Sequence, residues 1–369
     1  MSPAESLVEP NDEFNRQLVA NVHPTEWTNP TPAGRYNLVV IGAGTAGLVT
    51  AAIAAGLGAR VALIERHLMG GDCLNVGCVP SKGIVRAARV WATASRGDEF
   101  GIPPVRVTTG NFGKVMERMR RLRAQLSRVD SAQRFKDLGV DVFIGHGRFT
   151  NPETIQVEDS TLRFSRAAIC TGARAAAPPI PGLNDVGYLT NETVFSLTTL
   201  PTRLAIIGGG PIGCELAQAF ARFGSQVTLL EQLDDILPRE DPDAADIVRK
   251  RMERDGVTFA FGIKVNAVQH RDHQKVIHYT SHDGSELELT VDDILVGAGR
   301  APNIDGLGLE KAGVKFDSTG VTVDPSLRTS NRRIYAAGDV CFPFKFLSLI
   351  HISEPTRRTP ISYAVFCLK

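Results

Sequence analysis

Apolar residues along the chain gather in short runs that end in glycine. The first is Tyr36-Asn37-Leu38-Val39-Val40-Ile41, followed at once by Gly42-Ala43-Gly44-Thr45-Ala46-Gly47. A short apolar run bounded by glycine predicts a buried parallel strand. An Ala-rich helix to Leu57 comes next, then a second run, Val61-Ala62-Leu63-Ile64-Glu65. The same pattern returns later: Leu204-Ala205-Ile206-Ile207, then Gly208-Gly209-Gly210-Pro211-Ile212-Gly213, a helix through Phe223, and Val227-Thr228-Leu229-Leu230-Glu231. In each unit an acid closes the second strand 23 residues after the first glycine.

Between the units the periods change. A helix is predicted from Phe112, with Phe112, Val115, Met119, Leu122, Leu126 and Val129 forming one apolar stripe. Arg118, Arg120, Arg121, Arg123 and Arg128 lie around it and read as a solvated face. Residues 140–149 and 154–164 alternate like short strands. Pro178-Pro179-Ile180-Pro181-Gly182 reads as a linker, and residues 1–35 as a flexible, polar, proline-bearing extension. The resulting division is 1–35, 36–182, 183–302, 303–346 and 347–369.

The chain has 369 residues, 43% of them hydrophobic, and a net charge of +1. That length supports two or three domains with cores of their own. The near-neutral balance argues against a nucleic-acid partner. No stretch is long and apolar enough to span a membrane, and residues 1–34 lack an apolar signal core, so a cytoplasmic protein is expected. Of the six cysteines, only Cys73 and Cys78 form a close pair. In a reducing compartment such a pair is catalytic or metal-binding more often than structural. His270, His273, His278 and His282 lie in a hairpin-like segment whose period does not converge them, so no metal site is expected.

Each strand–glycine–helix–strand–acid unit fits a dinucleotide. The glycines let the backbone approach a pyrophosphate, the helix N-terminus stabilises its charge, and Glu65 or Glu231 can bind ribose hydroxyls. Two units imply two dinucleotides. An acid at 231 favours a free 2′-hydroxyl, hence NAD(H) over NADP(H). The other focus is the run Gly70-Gly71-Asp72-Cys73-Leu74-Asn75-Val76-Gly77-Cys78-Val79-Pro80-Ser81-Lys82. A thiol near a helix N-terminus or a cation ionises more easily, and the thiolate is the reactive form. Cys170 sits in an apolar strand and reads as inert packing.

This run resembles the redox-active disulfide of the FAD- and pyridine-nucleotide-dependent disulfide oxidoreductases, among them lipoamide dehydrogenase, glutathione reductase and mercuric reductase. The resemblance extends over roughly residues 36–346. Asp72 departs from it: many members carry threonine there, and the form with Asp looks more like the mercuric-reductase-like branches. Residues 167–174, containing Thr171 and Gly172, resemble the second FAD signature, and residues 294–303, with Gly299, the one that closes the nicotinamide domain. Residues 334–340 resemble the third FAD signature, whose aspartate, here Asp339, bonds the ribityl chain. Gly147 matches a position near the FAD adenine.

The resemblance implies an α/β fold with two Rossmann-like domains, the NAD domain inserted in a discontinuous FAD domain. FAD would rest on Gly42, Gly44, Ala46, Gly47, Glu65, Gly71, Asp72, Lys82, Gly147, Thr171, Gly172 and Asp339. NAD(H) would rest on Gly208, Gly210, Gly213, Glu231 and Gly299. The activity implied is electron transfer from NAD(P)H through flavin to a Cys73–Cys78 disulfide, then to a small-molecule or protein disulfide or a metal ion. Cys78 is the flavin-side thiol by this resemblance, Cys73 the interchange thiol, and Lys82 and Glu215 a catalytic ion pair beside the flavin. Lipoamide dehydrogenase, or an inactive nucleotide-binding fragment, is the alternative.

After Phe346 the family expects a dimerisation domain carrying a His–Glu base. Instead, Ser348-Leu349-Ile350-His351-Ile352-Ser353-Glu354-Pro355-Thr356-Arg357 resembles a translated sequencing adapter, and residues 361–368 resemble a translated flow-cell primer. Residues 347–369 are therefore expected to be non-native. His351 and Glu354 are not taken as the catalytic pair, and a longer natural form is expected to be a homodimer.

Overall fold

The computed structural model describes residues 7–32, 34–101, 103 and 111–341. The expected non-native tail, with His351, Glu354 and Cys367, lies outside the described residues.

The first departure from expectation comes at the N-terminus. Within the stretch read as a flexible extension, Glu13–Val22 form helix α1. Asp12 caps it, its Oδ1 accepting from the Asn15 N–H at 2.8 Å. Leu18 and Val22, one turn apart, are fully buried against Leu68, Met69 and Leu74. Burying two such side chains contributes about 1.5–3 kcal/mol each. Only these two are fully buried, with Val19 packed partly buried against the same core, so the helix shows no long apolar period in sequence.

The first nucleotide unit follows as drawn from the pattern: β1 (Arg35–Ile41), α2 (Thr45–Gly56) and β2 (Val61–Glu65). The cysteine stretch supplies α3 (Gly71–Asn75) and α4 (Cys78–Ser95). Helices α5 (Phe112–Leu126) and α6 (Ala132–Asp137) lead to β3 (Val140–Ile144). The meander β4 (Gly147–Asn151), β5 (Thr154–Val157) and β6 (Ser160–Ile169) returns the chain beside β1. Strand β7 (Ala173–Ala175) and the short helix α7 (Leu183–Val186) lead out of this unit.

The second unit is β8 (Arg203–Ile207), α8 (Pro211–Phe223), β9 (Gln226–Leu230), α9 (Pro242–Arg254) and β10 (Val257–Ala260). An antiparallel ribbon of β11 (Lys264–Arg271), β12 (Gln274–Thr280) and β13 (Glu286–Val291) precedes β14 (Asp293–Val296), which pairs parallel to β8. Then β15 (Arg300–Pro302) runs antiparallel to β7. The pair β16 (Phe316–Asp317) and β17 (Gly320–Val321) precedes β18 (Ile334–Ala336).

Two parallel sheet cores result. One has the order β3-β2-β1-β6-β5-β4, and the other β10-β9-β8-β14. Strand β18 pairs parallel to β6, Ile334 opposite Ala167, so residues beyond the second unit complete the first sheet. This is the inserted, discontinuous arrangement expected. The histidines fall along the ribbon, His270 on β11 and His278 on β12, with His278 facing Glu288 at 3.3 Å. Among the described residues no group of three or more His, Cys, Asp or Glu could hold a metal.

Helix α5 corrects a second expectation. Its buried face comprises Phe112, Val115, Met116, Met119, Arg120, Arg123 and Ala124, whereas Leu126 and Val129 are about half exposed. The arginine face is thus not wholly solvated. Arg120 and Arg123 stand four residues after Met116 and Met119, so they share the buried stripe. They are tolerated there because acceptors meet them: Arg120 pairs with Asp12, and Arg123 bonds Asn15 and the Asn75 carbonyl.

Candidate functional site

Glycine geometry builds the two strand-to-helix turns, the candidate nucleotide cradles. Gly42 has φ +99°, and a Cβ there would lie 2.3 Å from the Cys170 carbonyl oxygen. A Cβ on Gly47 would lie 1.8 Å from the Gly42 oxygen, so helix and turn touch through bare backbone. In the second unit Gly208 has φ +110°, and a Cβ on Gly213 would lie 2.0 Å from the Gly208 oxygen. The N-caps of α2 and α8 are Gly44 and Gly210, with no side-chain cap, which leaves first-turn N–H groups for an anion. Nothing stands within 4 Å of a Cβ placed on Gly210 or Gly172.

The closing acids behave alike. Glu65 accepts from Ala43 N–H at 2.7 Å and His67 N–H at 2.9 Å. Glu231 accepts from Gly209 N–H at 2.5 Å and Leu233 N–H at 2.9 Å. Burial pushes the Glu65 carboxyl up, and the two backbone donors oppose that. Gly145 N–H bonds the Glu65 carbonyl at 2.8 Å, which sets the turn leading to Gly147 beside this acid.

The cysteine stretch meets the first cradle edge-on. A Cβ on Gly71 would be 2.6 Å from Gly44 Cα, and one on Gly338 would be 3.4 Å from Ala46 Cβ. The glycine turn, the cysteine stretch and the segment bearing Asp339 therefore converge. Cys73 lies in α3 and Cys78 opens α4, and their sulfurs are 2.7 Å apart. A Cβ on Gly77 would be 2.7 Å from the Asp72 oxygen, which makes glycine necessary for this fold-back.

The two thiols differ. The hydrogen bond from Cys78 lowers the Cys73 thiol from 9.0 to about 7, against burial and the nearby Asp130 and Asp72 carboxylates. The same bond, with burial, pushes Cys78 up although it stands at a helix N-terminus with Lys82 nearby. Burial pushes Cys170 and Cys214 up to about 12, the chemistry of inert packing.

Lys82, on α4, pairs with Glu215 on α8. The two helices pack through Trp91 and Phe223, ring centroids 5.0 Å apart, and this contact brings the pair together. Thr171 Oγ1 donates to the Asn303 carbonyl at 2.7 Å, and Asn303 N–H to the Gly172 carbonyl at 2.9 Å. Gly299 has φ +103° and accepts from Ala176 N–H at 3.2 Å.

Arg300 was absent from the expected site. Its guanidinium pairs with Asp72, lies 3.4 Å from Asp339, and donates to the Ala173 carbonyl at 3.0 Å. It ties together the cysteine stretch and two other signatures. Its place directly after Gly299 was the available signal. Asp130, next to Cys73, carried none.

A family model described as pyridine nucleotide-disulphide oxidoreductase matches residues 36–360. A mercuric reductase of Staphylococcus aureus is 35% identical over 317 residues, covering 85% of this chain and 57% of that protein. A dihydrolipoyl dehydrogenase of Acholeplasma laidlawii is 33% identical over 332 residues, covering 89% of this chain and 96% of that protein. The Cu(II) complex of the HOCl-induced flavoprotein disulfide reductase RclA from Escherichia coli superposes with a TM-score of 0.73 at 32% identity, covering 87% of this chain and 71% of that one. The chain spans roughly half to three-fifths of the mercuric reductases it matches first. By these matches the chain belongs to the pyridine nucleotide-disulphide oxidoreductase family.

Proposed function

We propose that the chain moves electrons from NADH to the Cys73–Cys78 pair and on to a disulfide or a metal-ion substrate. FAD, the family's cofactor with NAD(P)H, supplies the two-electron exchange between nicotinamide and sulfur when bound. Its pyrophosphate fits Gly42, Gly44, Ala46 and Gly47, its ribose Glu65, and its adenine the Gly147 backbone. Gly71, Asp72 and Lys82, with Thr171, Gly172 and Asp339, would complete its contacts. The nicotinamide dinucleotide fits Gly208, Gly210, Gly213, Glu231 and Gly299. Glu231 would repel a 2′-phosphate, which favours NAD(H).

The observation that carries this reading is the 2.7 Å separation of two inequivalent thiols beside an uncapped helix N-terminus. Two electrons and one proton cleave the Cys73–Cys78 bond, leaving a Cys73 thiolate and a Cys78 thiol. The Cys73 sulfur attacks a substrate disulfide, forms a mixed disulfide and expels one thiolate. Cys78, giving up its proton, attacks the Cys73 sulfur, restores the internal bond and releases the second thiol. Lys82, oriented by its ion pair with Glu215, stabilises negative charge beside the thiol pair. For a metal ion, the two thiolates are soft ligands.

Dihydrolipoyl dehydrogenase chemistry, the same relay run toward NAD, is the second reading, favoured by the Acholeplasma relative. Anaerobic NADH should generate two titratable thiols per flavin and a long-wavelength thiolate–flavin band. Serine at Cys73 or Cys78 should abolish disulfide turnover. NADH-driven thiol chemistry that survives either serine refutes the relay. Flavin bleaching without new thiols favours an inactive nucleotide-binding fragment. Turnover of NAD with dihydrolipoamide, set against metal-dependent NADH oxidation, separates the two substrate readings.

A further inference from the structure

Helix α1 meets the chain just before the cysteine stretch at one end and reaches the stretch through Arg123 of α5 at the other. Val22 accepts from Met69 N–H at 3.1 Å, just before Gly70 and Gly71. At the other end Arg123, 2% exposed, donates to the Asn75 carbonyl at 2.6 Å and to Asn15 Oδ1 of α1 at 2.7 Å. Asn15 is equally buried and donates from Nδ2 to the Pro10 carbonyl at 2.8 Å. Asp12 caps α1 with one oxygen and pairs with Arg120 through the other.

A guanidinium this deep is costly unless its donors are aimed at acceptors. One of Arg123's acceptors lies on α1 and the other lies between the two cysteines. A helix-on-helix contact needs neither, since a packed aliphatic side chain would hold α5 to α1 at lower desolvation cost. Asn75 completes the circuit, its Nδ2 donating to the Met69 carbonyl at 3.0 Å and the Gly71 carbonyl at 2.9 Å.

We propose that α1 is a positioning element for the redox loop, acting from Asn15 through Arg123 on the Asn75 carbonyl to keep Cys73 and Cys78 in register. The inference rests on the relay reading above. A loop that closes and opens a sulfur–sulfur bond must hold both sulfurs within a fraction of an ångström while their separation changes. Asn191 Nδ2 donates to the Val76 carbonyl at 3.3 Å from the other side, so the intervening main chain is gripped from two elements. Asn15 and Arg123 touch no reacting atom and are positioning residues.

The test is the pH profile of iodoacetamide alkylation of reduced Cys73 in the full chain, with amide hydrogen exchange over residues 73–77. The charged and polar groups facing Cys73 are Cys78, Thr45, Asp72 and Asp130, and none is changed by the variants. In the wild type the midpoint is expected near 7. In Asn15→Ala and Arg123→Met the loop relaxes, the Cys78 bond loosens, and the midpoint rises by half a pH unit or more. At pH 7 the thiolate fraction then falls at least about twofold, and about fiftyfold if the thiol returns to 9. Exchange at 73–77 accelerates in both. Asn21→Ala, which cuts a bond from the same helix to Ser127 Oγ, leaves the profile unchanged. If Arg123→Met fails to fold, Asn15→Ala decides alone. Wild-type profiles and exchange in Asn15→Ala overturn the inference. Cys73→Ser separates the two levels: if it abolishes NADH-driven turnover while Asn15→Ala titrates as wild type, only the positioning role falls.

Discussion

Gly47→Ala is the sharpest perturbation the cradles offer. The new methyl would stand 1.8 Å from the Gly42 carbonyl oxygen, where real Cβ contacts stay beyond 3.0 Å. Helix α2 and the glycine turn must therefore separate by more than an ångström at the point proposed to hold the pyrophosphate. Both partners are backbone, so no side-chain rotation relieves the clash. Overpacking of this kind costs typically about 1–3 kcal/mol, and backbone against backbone lies at the upper end. A penalty of about 3 kcal/mol is roughly a hundredfold in flavin affinity, and it lowers the melting temperature by several degrees. Flavin retained per chain after gel filtration and the thermal midpoint measure both. Gly213→Ala meets the corresponding clash at 2.0 Å in the second unit, and should keep flavin while weakening NADH binding by a similar factor. Gly56→Ala, at the end of the same α2 with open space around its Cβ, should be neutral or slightly stabilising. Stoichiometric flavin and an unshifted midpoint in Gly47→Ala would refute the cradle geometry.

Three further outcomes follow from the same site. In Cys78→Ala, Cys73 loses the hydrogen bond that holds its thiol near 7, so its alkylation midpoint should rise and its rate at pH 7 should fall; an unchanged profile would show that another group ionises Cys73. Arg300→Met removes the guanidinium that Asp72 pairs with and Asp339 approaches, and should cost about 1–3 kcal/mol in thermal unfolding. Adding Asp72→Thr should recover part of that loss, and strict additivity in the double-mutant cycle would argue against coupling. Cys170 and Cys214, buried and pushed up to about 12, should resist labelling in the native protein and react on unfolding, as peptide mapping after a timed pulse would reveal.

The alternation of apolar runs and glycines determined a great deal by itself. Both strand–turn–helix units, the acids at 65 and 231, and the single close cysteine pair are local features, fixed by backbone conformations that only glycine adopts and by strands buried on both faces. Tertiary structure alone decided the rest. Helix α1 carries just two fully buried apolar residues, Leu18 and Val22, and packs chiefly against α5, about a hundred residues downstream. Arg120 and Arg123 read as solvated because charge usually is. They are buried because Asp12, Asn15 and the Asn75 carbonyl, distant in sequence, converge on them. The Cys73 thiol, inside α3 rather than at the start of α4, is lowered by a second sulfur 2.7 Å away, a contact that only the fold-back of the loop creates. Arg300 reaches Asp72 across more than two hundred residues. A one-dimensional pattern encodes what each segment must bury, but which distant polar groups satisfy one another depends on how the segments pack.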